Sequence, residues 1–134
     1  MRQGIQTDFP HEALQKFGCY FFCLAEWAER ESCRTFDTSD MIDFFKLGKN
    51  RELLNKNVFI FSPAQLLNLM VGHNRFSRIL ITDKAPSQDR YIVYLEKPGF
   101  GHFVLHDKGD LWDPLDPRRP GAAGYKPVSY RKIL

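Results

Sequence analysis

The chain has 134 residues, 43% of them hydrophobic and 26% charged, with twelve Phe; it reads as one folded domain over 1–134 and excludes a disordered or collagen-like chain. Nineteen Lys and Arg against sixteen Asp and Glu leave a formal charge of +3, scattered rather than clustered, which is too mild a balance to point to nucleic acid. Three cysteines, two of them four residues apart, argue against a disulfide framework and suit a reducing compartment.

The first fourteen residues contain no apolar run of signal-peptide length and carry Asp8, Pro10 and Glu12 where one would lie. The only dense apolar stretch, Phe17 to Ala28, is shorter than the roughly twenty residues that cross a bilayer. A cytoplasmic location with no membrane insertion is expected, although a leaderless export route would leave the same sequence.

The segment FGCYFFCLAEWAER is apolar almost all round, the pattern of a helix buried in the middle of a domain. Gly18 allows the chain to turn sharply into it, so Cys19 falls in its first turn. Glu26, Glu29, Arg30 and Glu31 predict that its carboxyl-terminal end emerges into solvent. A second helix is signalled by the caps Thr38-Ser39-Asp40 ahead of Met41, Ile42, Phe44 and Phe45, with Gly48 as its stop. A third starts at Ser62-Pro63 and ends at Gly72. Between them Asn57 to Phe61 reads as a short extended or buried stretch.

From Phe76 the texture changes to strands, over Arg78–Thr82, Arg90–Leu95, His102–His106, Leu111–Asp113 and Val128–Ile133. Short connections rich in turn formers predict an antiparallel meander, and Asp116 to Gly124 predicts a surface loop before the last strand. Helices first and an antiparallel sheet second make an α+β fold with the hydrophobic helix packed on the sheet.

Chemistry enters at Cys19. A cysteine at a helix amino terminus faces unpaired backbone N–H groups and the positive end of the macrodipole, which favour thiolate over thiol, and the same N–H groups can receive an oxyanion. A partner base must come from elsewhere, and His102 follows Gly101, which has no side chain to obstruct close approach. If Asp107 to Asp110 form a four-residue turn, Val104 lies opposite Asp113. Alternation then puts His102, Val104 and Asp113 on one face, with Asp113 diagonal to His102. A carboxylate there accepts from Nδ1–H and leaves Nε2 for the thiol. A register shift of one residue would move Asp113 to the other face.

Other candidates have plainer readings. Asp116 has the wrong parity, and Asp107 and Asp110 belong to the turn and are expected to solvate it. Cys23, one helical turn beyond Cys19, reads as core packing, and Cys33 as an exposed or half-buried thiol. His106 shares the face of His102 but lies about 13 Å along the strand and reads as a surface residue. His11 and His73 carry no role. A zinc site shared by Cys19 and Cys23 is disfavoured, since His102 and His106 lie too far apart to join one ion. Tyr125, Lys126, Tyr130, Arg131 and Lys132 fit a solvated terminal strand as well as a nucleic-acid surface.

A Gly-Cys at the start of a central apolar helix, followed by Gly-His-Phe-Val-Leu-His and Trp-Asp-Pro-Leu, resembles the papain-like cysteine peptidase superfamily. Within it the bacteriocin-leader-processing (double-glycine) peptidase domains are most similar, and small uncharacterised bacterial and phage proteins share the pattern. The resemblance implies a papain-like fold, a Cys19-His102-Asp113 triad, and an oxyanion glutamine upstream of the cysteine. Gln15 is the candidate for that role although it is nearer to Cys19 than in the family; Gln6 is farther. Tyr20 stands where the leader-processing enzymes favour a small glycine. The expected activity is hydrolysis of a peptide or amide bond by a cysteine peptidase or amidase, with no cofactor and a peptide or protein as substrate. The alternative is a catalytically silent domain that binds a peptide or protein in the same cleft.

Overall fold

The computed structural model describes residues 1–134: a 3-10 turn over Ile5–Asp8, then α1 (Glu12–Phe17), α2 (Cys19–Ser32), α3 (Thr38–Asn50) and α4 (Pro63–Val71), then β1 (Ile79–Thr82), β2 (Arg90–Lys97), β3 (Phe100–Asp107), β4 (Asp110–Trp112) and β5 (Lys126–Ile133). The helices precede an all-antiparallel five-stranded sheet, so the architecture is α+β. No helix is long and apolar enough to cross a membrane.

The apolar character of α2 has its structural counterpart in an unbroken buried run from Phe21 to Glu29. Phe21, Phe22 and Leu24 lie in one core with Phe45 of α3, Leu66, Leu67 and Met70 of α4, and Ile92 and Leu105 of the sheet. Burial does not stop where polar residues begin, contrary to the expectation that Glu26 and Glu29 reach solvent. Both carboxylates lie 2.5 Å from the Met1 ammonium, and Arg30 Nε donates to Glu26 at 2.8 Å. Glu29 also accepts from the Phe36 backbone N–H at 2.6 Å. Burial raises the pKa of Glu26 against the lowering effect of its cationic partners.

The amino-terminal cap of α3 is one residue earlier than expected. Asp37 accepts from the Asp40 N–H at 2.8 Å and Asp40 accepts from the Asp37 N–H at 3.0 Å, a reciprocal box that satisfies two exposed donors. Gly48 does not end the helix, which runs on to Asn50. It is small because Leu54 packs on it: a Cβ there would lie 2.3 Å from Leu54 Cδ2. Gly72 does cap α4, in the left-handed region at φ 88°.

The sheet is not a meander. Its order is β1-β5-β2-β3-β4, with the last strand inserted between the first two. β5 pairs on one side with β1, Ile81 opposite Arg131, and on the other with β2, Ile92 opposite Arg131. β1 and β2 are each antiparallel to β5 and so run in the same direction: the turn residues between them do not close a hairpin, and the long 113–125 connection is what lets β5 return between them.

The β3–β4 hairpin has the expected register, Leu105 opposite Trp112 and His106 opposite Leu111. Its two turn residues, Lys108 and Gly109, have φ of 52° and 88°, the positive pair required by the tightest hairpin turn. Asp107 does not solvate that turn. It accepts from Arg30 and Arg90, each at 2.9 Å, and so ties α2 to β2 and β3; despite the opposing effect of burial, these guanidiniums hold its pKa below the ordinary carboxylate value.

The first eight residues, for which the sequence signalled no element, form a strap along the end of β4. Gly4 N–H donates to the Asp113 carbonyl and Gln6 N–H to the Pro114 carbonyl, both at 2.9 Å, and Trp112 Nε1–H donates to the Met1 carbonyl at 3.0 Å. The strap pins the backbone that carries Asp113.

Candidate active site

Cys19 is the first residue of α2 and is partly exposed. The first intrahelical bond of α2 runs from Phe22 N–H to the Gly18 carbonyl at 2.8 Å, so the N–H groups of Cys19, Tyr20 and Phe21 have no partner within the helix. Gly18 makes the junction with α1 possible, because a Cβ at that position would lie 2.4 Å from the Leu14 carbonyl oxygen and 3.1 Å from the Phe22 ring. The thiol is thereby placed at the mouth of the helix with three amide donors beside it.

His102, on β3, is only 2% exposed. Its Nε2 lies 2.7 Å from Asp113 Oδ1, and the Cys19 thiol is near enough to the ring to help raise its pKa. The ring is therefore turned the other way round from the sequence expectation: Nε2 goes to the carboxylate, and Nδ1 is the nitrogen not bound to Asp113. Alternation along a strand assigns a face but says nothing about ring rotation, so the parity argument could not choose between the nitrogens. Burial lowers the imidazole pKa, but the hydrogen bonds to Asp113 and Cys19 and the charges of both groups outweigh it and hold the value above 6.5.

Asp113 follows β4 and is held on every side. Oδ1 also accepts from the Leu115 N–H at 2.9 Å, Oδ2 faces Arg119 Nη1 at 3.4 Å, and the Asp113 N–H donates to Gln3 Oε1 at 3.2 Å. Arg119 is fixed in turn by the Asp116 carbonyl at 2.9 Å. Neither Arg119 nor Gln3 was legible as part of the site: Arg119 lies in a Pro- and Gly-rich loop that read as surface, and Gln3 in a segment without periodicity.

The two glutamines part company. Gln15 is exposed on α1, and its amide donates to the Thr7 carbonyl at 3.0 Å. Gln6 is 2% exposed, donates to the Gln15 carbonyl at 3.1 Å, and leaves Oε1 buried without a partner. The Gln15 amide thus gives one of its two N–H donors to Thr7, while the backbone N–H groups of Cys19, Tyr20 and Phe21 lie in the first turn of α2.

Tyr20 stacks on Phe103 with ring centres 4.4 Å apart and planes 11° from parallel, which explains a bulky residue next to the cysteine. Burial pushes its phenol up to about 12, with Arg131 opposing. Gly101 makes room not for the thiol but for Tyr94, whose hydroxyl would lie 2.4 Å from a Cβ. A groove of about 410 Å³ opens beside Cys19 between Tyr20, the loop at 58–61, β1, Phe103 and Arg131. Phe59 and Phe61 were expected in a short extended or buried stretch, yet Val58 takes the buried position at φ 58° and both phenylalanines are exposed.

Cys23 is fully buried one turn below Cys19, and burial pushes its thiol well up, with the charges of Cys19, Asp113 and Glu26 adding to the effect. Cys33 is exposed at the carboxyl cap of α2. His106 is half-buried and stacked on Tyr91 at 4.4 Å, and His11 caps α1 by accepting from the Leu14 N–H at 3.4 Å. No three His, Cys, Asp or Glu side chains converge as a metal-ligand set.

No curated protein and no solved structure matches the chain. A family profile does match, over residues 4–132 and thus nearly the whole length: the chain belongs to DUF261, described as a protein family of unknown function.

Proposed function

We propose that the chain is a papain-like thiol hydrolase acting on a peptide or amide bond. The observation that carries the reading is that one buried imidazole, His102, meets Asp113 at 2.7 Å through Nε2 and has its pKa raised in part by the nearby thiol of Cys19, the first residue of a helix. In this reading His102 Nδ1 takes the thiol proton, and the sulfur attacks the carbonyl carbon. The oxyanion draws on the free N–H groups of the first turn of α2. As the C–N bond breaks, the imidazolium returns its proton to the leaving amine. Water then attacks the thioester with His102 as base, giving a carboxylic acid and restoring the thiol. Asp113 holds the ring and stabilises its charged form.

The engagement of a Gln15 amide N–H by the Thr7 carbonyl favours a second reading, a silent domain that binds a peptide in the same cleft. Incubation with a mixed peptide digest, read by mass spectrometry, separates the two. Hydrolysis predicts new termini that are absent with Cys19→Ala and with His102→Ala. No new termini, together with equal iodoacetamide rates for wild type and His102→Ala near pH 6.5, would leave only the binding domain.

A further inference from the structure

The groove beside Cys19 is apolar except for Cys19 itself, the Tyr20 phenol and Arg131. Phe17, Phe59, Phe61 and Ile81 are each more than half exposed around it, a concentration of large apolar side chains that a folded surface normally avoids. Its volume of about 410 Å³ suits one or two side chains of a ligand and is too small for the face of a second folded copy.

Arg131 is the feature that specifies the occupant. The other partly buried arginines each meet a carboxylate: Arg30 meets Glu26 and Asp107, Arg90 meets Glu31 and Asp107, and Arg119 meets Asp113. Arg131 meets none. Its guanidinium is positioned by Ser129 Oγ at 2.8 Å and by the faces of Phe103 at 5.4 Å and Tyr94 at 5.8 Å. A cation fixed in an apolar groove without a counter-charge is complementary to an anionic group on whatever fills the groove.

We propose that the groove selects a peptide segment in which a bulky apolar side chain is accompanied by a carboxylate, the apolar group lying against Phe59 and Phe61 and the carboxylate meeting Arg131. The carbonyl to be attacked then lies over Cys19. This rests on the hydrolase reading for the attack but not for the binding.

The test uses the full chain and short peptidyl chloromethyl ketones in which the sulfur displaces chloride. Three probes suffice: one with Phe and a neighbouring Asp, one with Gly in place of Phe, and one with Lys in place of Asp. Modification of Cys19, read by mass, should be about tenfold or more faster with the Phe–Asp probe than with either other. Within each variant the rate ratios serve as the internal reference. Phe59→Ser with Phe61→Ser should erase the Phe-over-Gly ratio, and Arg131→Gln the Asp-over-Lys ratio, while Arg131→Lys keeps the latter. Equal rates for all three probes, with Cys19 still reactive to iodoacetamide at pH 6.5, would overturn the selectivity and leave the hydrolase reading standing. If Cys19 is inert to iodoacetamide as well, the hydrolase reading fails, and fluorescence anisotropy of the chloride-free peptides on Cys19→Ala decides the groove. Tighter binding of the Phe–Asp peptide supports it, and equal or absent binding overturns it.

Discussion

His102 gives Nε2 to Asp113 Oδ1 at 2.7 Å, so the carboxylate both orients the ring and stabilises its protonated form. Asp113→Asn keeps an oxygen that can accept from Nε2–H but removes the charge. The His102 pKa is expected to fall, shifting the loss of imidazolium to lower pH. An NMR titration of the His102 ring proton checks this, and an unchanged midpoint in the variant would remove Asp113 from its assigned role.

The same pair makes stability depend on pH. The folded His102 pKa is raised above the unfolded value of about 6.5, so its contribution is fully present below about pH 6.5 and is lost as pH rises through the folded value. The gap in melting temperature between wild type and Asp113→Asn should therefore be widest near pH 5.5 and narrower by pH 8. A residual gap is expected above that range, because Asp113 also accepts from Leu115 and faces Arg119.

Gly18→Ala places a methyl 2.4 Å from the Leu14 carbonyl oxygen, and that contact is to backbone. The junction between α1 and α2 must shift, at a cost of about 1–3 kcal/mol by analogy with overpacked cores. Urea denaturation should show the loss, and Cys19 alkylation should fall with it because the thiol rides on the junction. Retained stability would mean that the helices relax freely there.

Much of this was legible in advance. The all-round apolar pattern of α2 located the core, the β3–β4 turn chemistry set a register that puts His102 and Asp113 on one face, and Ser62-Pro63 with Gly72 bounded α4. What could not be read were relations between distant segments. The insertion of β5 depends on which edge of the sheet is open, the burial of Glu26 and Glu29 on the Met1 ammonium, and the fixing of Asp113 on Arg119 and Gln3. None of these leaves a periodic trace in the local sequence.

The Met1 ammonium gives a second pH test with its own window. Burial lowers its pKa, but the hydrogen bonds and charges of Glu26 and Glu29 prevail and raise it above 8.0. The contribution is therefore full below about pH 8 and is lost as pH rises through the folded value. Glu29→Ala breaks a buried pair and leaves the Phe36 N–H unsatisfied, so a loss of about 3–5 kcal/mol is expected at pH 7. The difference from wild type should shrink towards pH 10 in thermal melts; a difference independent of pH would assign the effect to the Phe36 bond alone.

The three thiols should separate in native labelling. Cys33 is exposed and Cys19 partly so, whereas Cys23 is fully buried. Brief treatment with a maleimide is expected to modify the first two, with Cys23 reacting only after denaturant is added. Rapid native labelling of Cys23 would show that α2 opens locally, and that the frame under Cys19 is not rigid.

The position of β5 has a consequence for synthesis. β5 follows β4 in sequence yet lies second in the sheet, so it pairs with β1 across a long separation, Ile79 with Ile133, and β1 has no neighbour until it arrives. A chain still emerging from the ribosome would already carry the thiol, the imidazole and the carboxylate. It would lack Arg131 and the strand that holds β1 in place. Late insertion acts as a built-in delay: the sheet edge at β1 and the Arg131 side of the groove are completed only when β5 arrives.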